Sequence, residues 1–343
     1  MSTGTQFRAL PPGFDARRVW LTRQTFAWAS YDVASSVYFG VAPAVLLPIY
    51  FRHLMSGYEN PTSAWGLLAA VAILASSIAA LGAAIVAPRL RRFPLLVALS
   101  AGLTAAIAVL AWNPRSSLLL AGLAYVAAQS LYFAAMTVYE SFLPDLLPSR
   151  ARHKLSGFGW ALGYLGGVVA IVVLLRMLAD HPESPQLLET CFAVLALIGA
   201  LLFAVAFVLM ARAGFGRIGG AGARPRLPGL LDVLVKWRQQ RSVFLLLLAT
   251  MLVHAAVSVV VVFTAPILAS RFGQDLQDLL WLLLLIHVLS VPSTFGWSLV
   301  MDRWERKVPM TLLFLAWGVV LLLLAFASAG WMPVATVSVI GCC

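Results

Sequence analysis

The stretch Phe26–Gly40, FAWASYDVASSVYFG, sets a carboxylate, Asp32, beside Tyr31 inside a long apolar run. A charged side chain costs about 3 kcal/mol or more at a bilayer centre. Asp32 therefore needs a polar partner, water or a function. Three roles are open to it. It can bind a cationic or zwitterionic solute or a proton. It can hold a hydrogen-bond network near the inner ends of the first and fifth apolar spans. It can pair with an arginine such as Arg150 or Arg152. Around it, Tyr31, Ser35 and Tyr38 recur at helical spacing. Further along, Tyr125, Gln129, Tyr132 and Tyr139 fall on one helical face, and Thr250, His254 and Ser258 repeat every fourth residue. His287, Ser290 and Thr294 form a last such set. Tyrosine offers an aromatic face and a hydroxyl, a pairing suited to a small amphiphilic solute. A neutral histidine is cheap to bury and titrates close to neutrality, so His254 is a packing residue or a proton carrier. In lipid such groups need partners, and the stripes should face a wet cavity or one another.

The elements that must position these residues are membrane helices. The chain has 343 residues, 62% hydrophobic and 11% charged, with a mean hydropathy of +0.93. Soluble domains carry about 25% charged residues. The apolar runs are about 20 residues long, which fits spanning helices and not the ~10-residue alternating strands of a barrel. The expected spans cover residues 25–50, 64–87, 94–112, 117–139, 156–178, 188–211, 243–269, 279–300 and 308–328. A tenth starts near 330, and only about half of it precedes Cys343. The net charge of +11 does not mark a nucleic-acid binder, because the basic residues sit in short loops between the spans. Twenty of the 24 lysines and arginines fall in alternate loops on one side, which places the N-terminus in the cytoplasm, with a bacterial inner membrane as the expected location. The arginines at 8, 17, 18 and 23 precede a run too long for a signal peptide, so the first span is expected to stay uncleaved. Cys191, Cys342 and Cys343 have neither disulfide nor metal-site spacing. No P-loop or other enzyme signature is present, and neither a cofactor nor a metal is expected.

Six spans, a long basic loop and further spans are the layout of a two-halved secondary transporter. The expected organisation is an N-terminal half over 1–211, a Gly-, Pro- and Arg-rich cytoplasmic linker over 212–242, and a C-terminal half, incomplete, over 243–343. Oligomerisation through that incomplete half is one expectation, and looser packing of it is another. After the eighth span, Ser298–Lys307 reads SLVMDRWERK, and after the second, Ala83–Arg92 reads AAIVAPRLRR. The first resembles the major facilitator loop signature G-x-x-x-D-R-x-G-R-K, with Ser298 and Glu305 in place of the glycines. The second has Pro88 where the aspartate belongs. Asp302, Arg303, Arg306 and Arg89 are thus candidates for an inner gate across the two halves. Positive-inside charge accounts for the arginines alone, but not for Asp302 beside Arg303.

Two further stretches narrow the resemblance. Trp28–Tyr38, WASYDVASSVY, and Tyr139–Gly167, YESFLPDLLPSRARHKLSGFGWALGYLGG, are similar to segments of the fungal vacuolar amino-acid effluxer family and its bacterial "unknown major facilitator" relatives. The likeness runs over residues ~20–330, more weakly after 212. Val33, Ser35 and Glu140 depart from the pattern, as do the missing C-terminal helices. The resemblance implies an all-α, polytopic fold of major facilitator type, with a cavity lined by helices one, four, seven and ten and with helix five near helix eight. It implies alternating-access transport of a small-molecule solute, an amino acid or similar metabolite, with a proton as the candidate coupling ion. Gly159, Gly163 and Gly167 recur every fourth residue on helix five, which lets two backbones approach closely, either as a fixed seam or as a face along which the halves rock. The reading of a different class is a transport-incompetent chain, a truncated product or a membrane partner or regulatory subunit.

Overall fold

The computed structural model describes residues 22–87, 89–113, 117–147, 152–178, 184–218, 239, 241–303 and 307–326, with isolated positions at 334, 338–339 and 341. Among them run α1 (Arg23–Leu54), α2 (Pro61–Val86), α3 (Arg92–Ala111), α4 (Leu118–Glu140), α5 (Arg152–Leu178), α6 (Pro185–Arg212), α7 (Arg241–Phe272), α8 (Leu276–Arg303) and α9 (Lys307–Phe326). Each coincides with an expected span to within a few residues. The molecule is an all-α, multi-pass membrane protein.

Local chemistry sets the helix ends. Thr22, Ser117 and Ser184 each cap a helix, accepting the backbone N–H groups of Thr25, Leu120 and Leu187 at 3.2, 3.3 and 3.2 Å. Proline opens α2 and α6, where its missing donor costs nothing. The interior of α1 departs from the expected continuous span. It runs as an α-helix to Phe39, turns at Gly40–Val41, continues as a π-helical turn over Ala42–Leu46, and resumes as α-helix over Leu47–Leu54. Pro43 explains the break, since its ring lacks an N–H for the Phe39 carbonyl and crowds it.

Burial follows the inverse logic of a bilayer, in which the least apolar helix goes to the centre. In the most apolar stretch of α1, 72% of residues are buried, against 17% in α2, although α2 is the more hydropathic. α1 carries Trp28, Tyr31 and Tyr38 into the core, while α2 turns Leu67, Leu74 and Ile78 outward. α1 packs on α5 and α6, α2 and α3 both pack on α4, and α3 also packs on α6. The later helices join this six-helix unit mainly along α5 and α1, with smaller contacts of α7 on α2 and of α8 on the break in α1. α8 lies along α5, and α7 lies against the second half of α1. We call the end where α1 begins the near end and the opposite one the far end.

Candidate functional site

Asp32 is buried at the near end of α1, and the hydroxyl of Tyr139 on α4 donates to its Oδ2 at 2.7 Å. The Tyr139 ring is stacked between Trp28, at 4.4 Å, and Tyr31, at 4.6 Å. Trp28 Nε1 donates to the Tyr139 carbonyl at 3.3 Å. Tyr31 Oη meets Ser100 Oγ of α3 at 3.0 Å, and because that serine gives its proton to the Leu96 carbonyl, Tyr31 is the donor. Ser35 turns back on its own helix and donates to the Asp32 carbonyl at 3.2 Å. The result is a closed set of aromatic stacks and hydrogen bonds joining α1, α3 and α4.

The third wall of this cluster is α5, and its glycines permit the approach. A Cβ on Gly159 would collide with the Asp32 carboxylate and lie 2.9 Å from the Trp28 ring. One on Gly163 would come within 2.8 Å of Ser36 Oγ, and one on Gly166 would enter the backbone of Val33. The small residues expected to face one partner therefore face two. Gly159, Gly163 and Gly166 lie on α1, and Gly167 lies on His287 of α8. Of the arginines considered for Asp32, Arg152 instead donates to the carbonyls of Leu147, at 2.9 Å, and Pro144, at 3.4 Å, and Arg150 lies outside the described residues.

Farther along, Tyr38 Oη donates to Gln129 Oε1 at 3.0 Å. Tyr132 stacks on Phe39 at 4.8 Å. Tyr125 stacks on Trp65 at 5.4 Å, and its hydroxyl is buried with no hydrogen-bond partner among the described residues. On the other side of this region lie Tyr164 of α5 and His287 of α8. His287 is 3% exposed. Its Nδ1–H donates to the Leu283 carbonyl at 2.9 Å, and its ring meets that of Tyr164 edge-on at 5.5 Å. The ring sits in a slot between Gly40, at the break in α1, and Gly167, so that a Cβ on either would strike it. At the far end, Trp65 Nε1 donates to the Val262 carbonyl of α7 at 3.3 Å, and Phe263 packs against Gly66.

The remaining expected site residues are distributed as follows. Ser258 is half-buried on α7. His254 lies on the same helix, with its side chain outside the described residues, as are the side chains of Asp302 and Arg303 at the end of α8 and all of Arg306. Arg89 is exposed. The engaged arginine of that loop is Arg92, buried beside Asp145, donating to the Ser141 carbonyl at 2.6 Å and lying over the Phe142 ring at 4.6 Å. Sequence reasoning passed over Arg92, Asp145, Gly40 and Tyr164. The signal available for Arg92 was that it begins a helix, where a long side chain can fold back under the neighbouring loop.

No family model matches the chain. A Bacillus subtilis (strain 168) protein described as the uncharacterized MFS-type transporter YxiO is 24% identical over 305 residues, covering 83% of this chain and 69% of the relative. Among solved structures, the partially occluded inward open conformation of the xylose transporter XylE from E. coli superposes with a TM-score of 0.65 at 14% identity, over 93% of this chain and 84% of that one. The human organic anion transporter MFSD10 gives a TM-score of 0.56 at 15% identity, over 97% and 85%. The fold is of major facilitator type.

Proposed function

We propose that this protein is a secondary transporter that moves a small solute across the membrane by alternating access, with two halves over 1–211 and 243–343 joined by the 212–242 linker. The observation that carries the reading is the seam. Helices from the two sides of the linker meet through His287 in its glycine slot and through Trp65 against α7, while polar side chains from both sides gather beside it. Tyr38, Gln129 and Tyr132 from one half, with His254 and Ser258 from the other, line the solute path in this reading. Asp32 serves it from below, as the anchor that keeps α1, α4 and α5 together. The sequence likeness to amino-acid effluxers favours an amino acid or similar metabolite as solute and a proton as coupling ion. The near end is cytoplasmic in this reading, and in the opposite, outward-facing state Asp302, Arg303 and Arg306 close it against the loop that carries Arg89. The far-end contacts correspond to a state closed to the outside, a reading favoured by the likeness to an inward open transporter.

The test is uptake into proteoliposomes holding the purified chain, with panels of amino acids and of neutral sugars at pH 5.5 and 7.5. Accumulation of an amino acid that collapses with the proton gradient is the expected result. Uptake confined to sugars would overturn the solute class. No uptake from either panel, by a folded and correctly inserted chain, would favour a membrane partner or regulatory subunit.

A further inference from the structure

Between α2 and α3, which both pack on α4, lies a groove of about 290 Å³. Gly82, Ala83 and Val86 of α2, Leu95 and Leu99 of α3, and Leu131 of α4 form its walls. The lining is almost wholly apolar, so water is a poor occupant. The groove is open on its α2 side, where a Cβ added to Gly82 would meet nothing within 4 Å. The turn that joins its two main walls, residues 87–91, carries Arg89 and Arg91. Both are exposed, and neither has an ion-pair partner among the described residues. Arg92, one residue on, is in the opposite situation, buried and engaged with Asp145. An apolar trough between two spanning helices thus lies next to a turn with two exposed arginines, neither of them ion-paired among the described residues. Guanidinium groups bind phosphate oxygens through paired, charge-assisted hydrogen bonds. Basic pockets between membrane helices are where anionic headgroups settle.

We infer that this groove binds an anionic phospholipid, with one acyl chain lying between α2 and α3 and the phosphate resting on Arg89 and Arg91. The inference does not depend on transport. It asks only that the chain sit in a bilayer, and it gives the two exposed arginines a partner that the bilayer supplies.

The experiment is native mass spectrometry of the full purified chain, titrated with phosphatidylglycerol or phosphatidylcholine. The wild type should retain phosphatidylglycerol with roughly thirtyfold preference, about fivefold per arginine. The double substitution Arg89→Gln, Arg91→Gln should bring retention down to the phosphatidylcholine level. Gly82→Leu, which points into open space and so leaves the fold intact, should fill the groove and weaken retention of both lipids. Equal retention of the two lipids by the wild type, or an undiminished preference in the arginine double variant, would overturn the site. Wild-type phosphatidylglycerol retention by Gly82→Leu, together with displacement of the lipid by millimolar inorganic phosphate, would assign the arginines to a bare phosphate and overturn the acyl groove. Should the double variant not purify, the Gly82→Leu chain carries the test.

Discussion

Two sites on α1 are built from similar parts and behave as opposites. At Asp32, a carboxylate, two tyrosines and a tryptophan from α1 and α4 interlock through hydrogen bonds and ring stacks, and α5 presses its glycines against them. At Gly40, a single imidazole arrives from α8, bonds to its own helix, and meets the six-helix unit by shape. Directional bonds resist sliding, and a fit of shape does not. In the proposed transport cycle, this contrast would let the six-helix unit move as one piece while its junction with α8 is remade. Substitutions at three places would break or sharpen this contrast.

The largest effect is expected from Gly163→Leu. Even a Cβ there meets Ser36 Oγ at 2.8 Å and the Asp32 carbonyl at 3.3 Å, and while the serine can rotate, the Asp32 backbone cannot retreat without moving α1. Overpacking of this kind costs typically 1–3 kcal/mol and occasionally more. Loss of solute uptake and a lower unfolding midpoint in detergent should accompany it. Unchanged stability and uptake would mean that α1 and α5 are not fastened here.

A middle-sized effect is expected at the other end of the same cluster. Tyr139→Phe removes the donor to Asp32 but keeps the stacked ring, and Asp32→Asn keeps the size and removes the charge. Each should lower stability by up to about 1.5–3 kcal/mol, the range for a hydrogen bond to a charged group. The double variant should cost clearly less than the two single costs together, because the charge-assisted bond that Asp32→Asn weakens is already gone in Tyr139→Phe. Additive costs would separate the two residues. Wild-type uptake by Asp32→Asn across pH 5–8 would remove Asp32 from proton and solute handling and leave it the anchoring role alone.

The smallest effect on stability, and the most telling on conformation, belongs to the slot. Gly167→Ala drives a methyl into the His287 ring. It should change unfolding by less than about 1 kcal/mol, since the cost is relieved when α8 swings away rather than when the chain unfolds. Cysteines placed at the far mouth should become more reactive, and His287→Ala in the same chain should restore the wild-type pattern. Reactivity unmoved by Gly167→Ala would show that the slot takes no part in far-end closure.

Much of the architecture could be read from residue order. Long apolar runs and one-sided loop charge gave the helices, and the small-residue repeat on α5 marked a close-packed face. The misses share a physical cause, which is that one helix face meets different neighbours along its length. Tyr31 and Tyr38 lie seven residues apart on one stripe, yet Tyr31 reaches Ser100 on α3 and Tyr38 reaches Gln129 on α4. Helices crossing at an angle carry a straight stripe from one partner to the next. Loop charge is similarly silent on burial. Arg89 and Arg92 count alike in the topology argument, but the structure exposes one and buries the other beside Asp145. The break in α1 was missed because hydropathy does not register a lost backbone donor at Pro43.

That break has a rotary consequence. Each residue of an α-helix advances its side chain by near 100°, and a π-helical turn holds one residue more than an α turn would. Everything beyond Leu46 is therefore turned by about that angle relative to an uninterrupted helix. The turned segment presents Tyr50 to Glu189, at 3.0 Å, and to Asn113, at 2.8 Å, and leaves Arg52 exposed. Deleting one residue between Ala42 and Leu46 would shorten the helix by a trivial length and spin its far end by a quarter turn. Tyr50 would leave its two partners and a charged side chain would swing toward the packed interior. At this place in the chain, register acts as an angular setting.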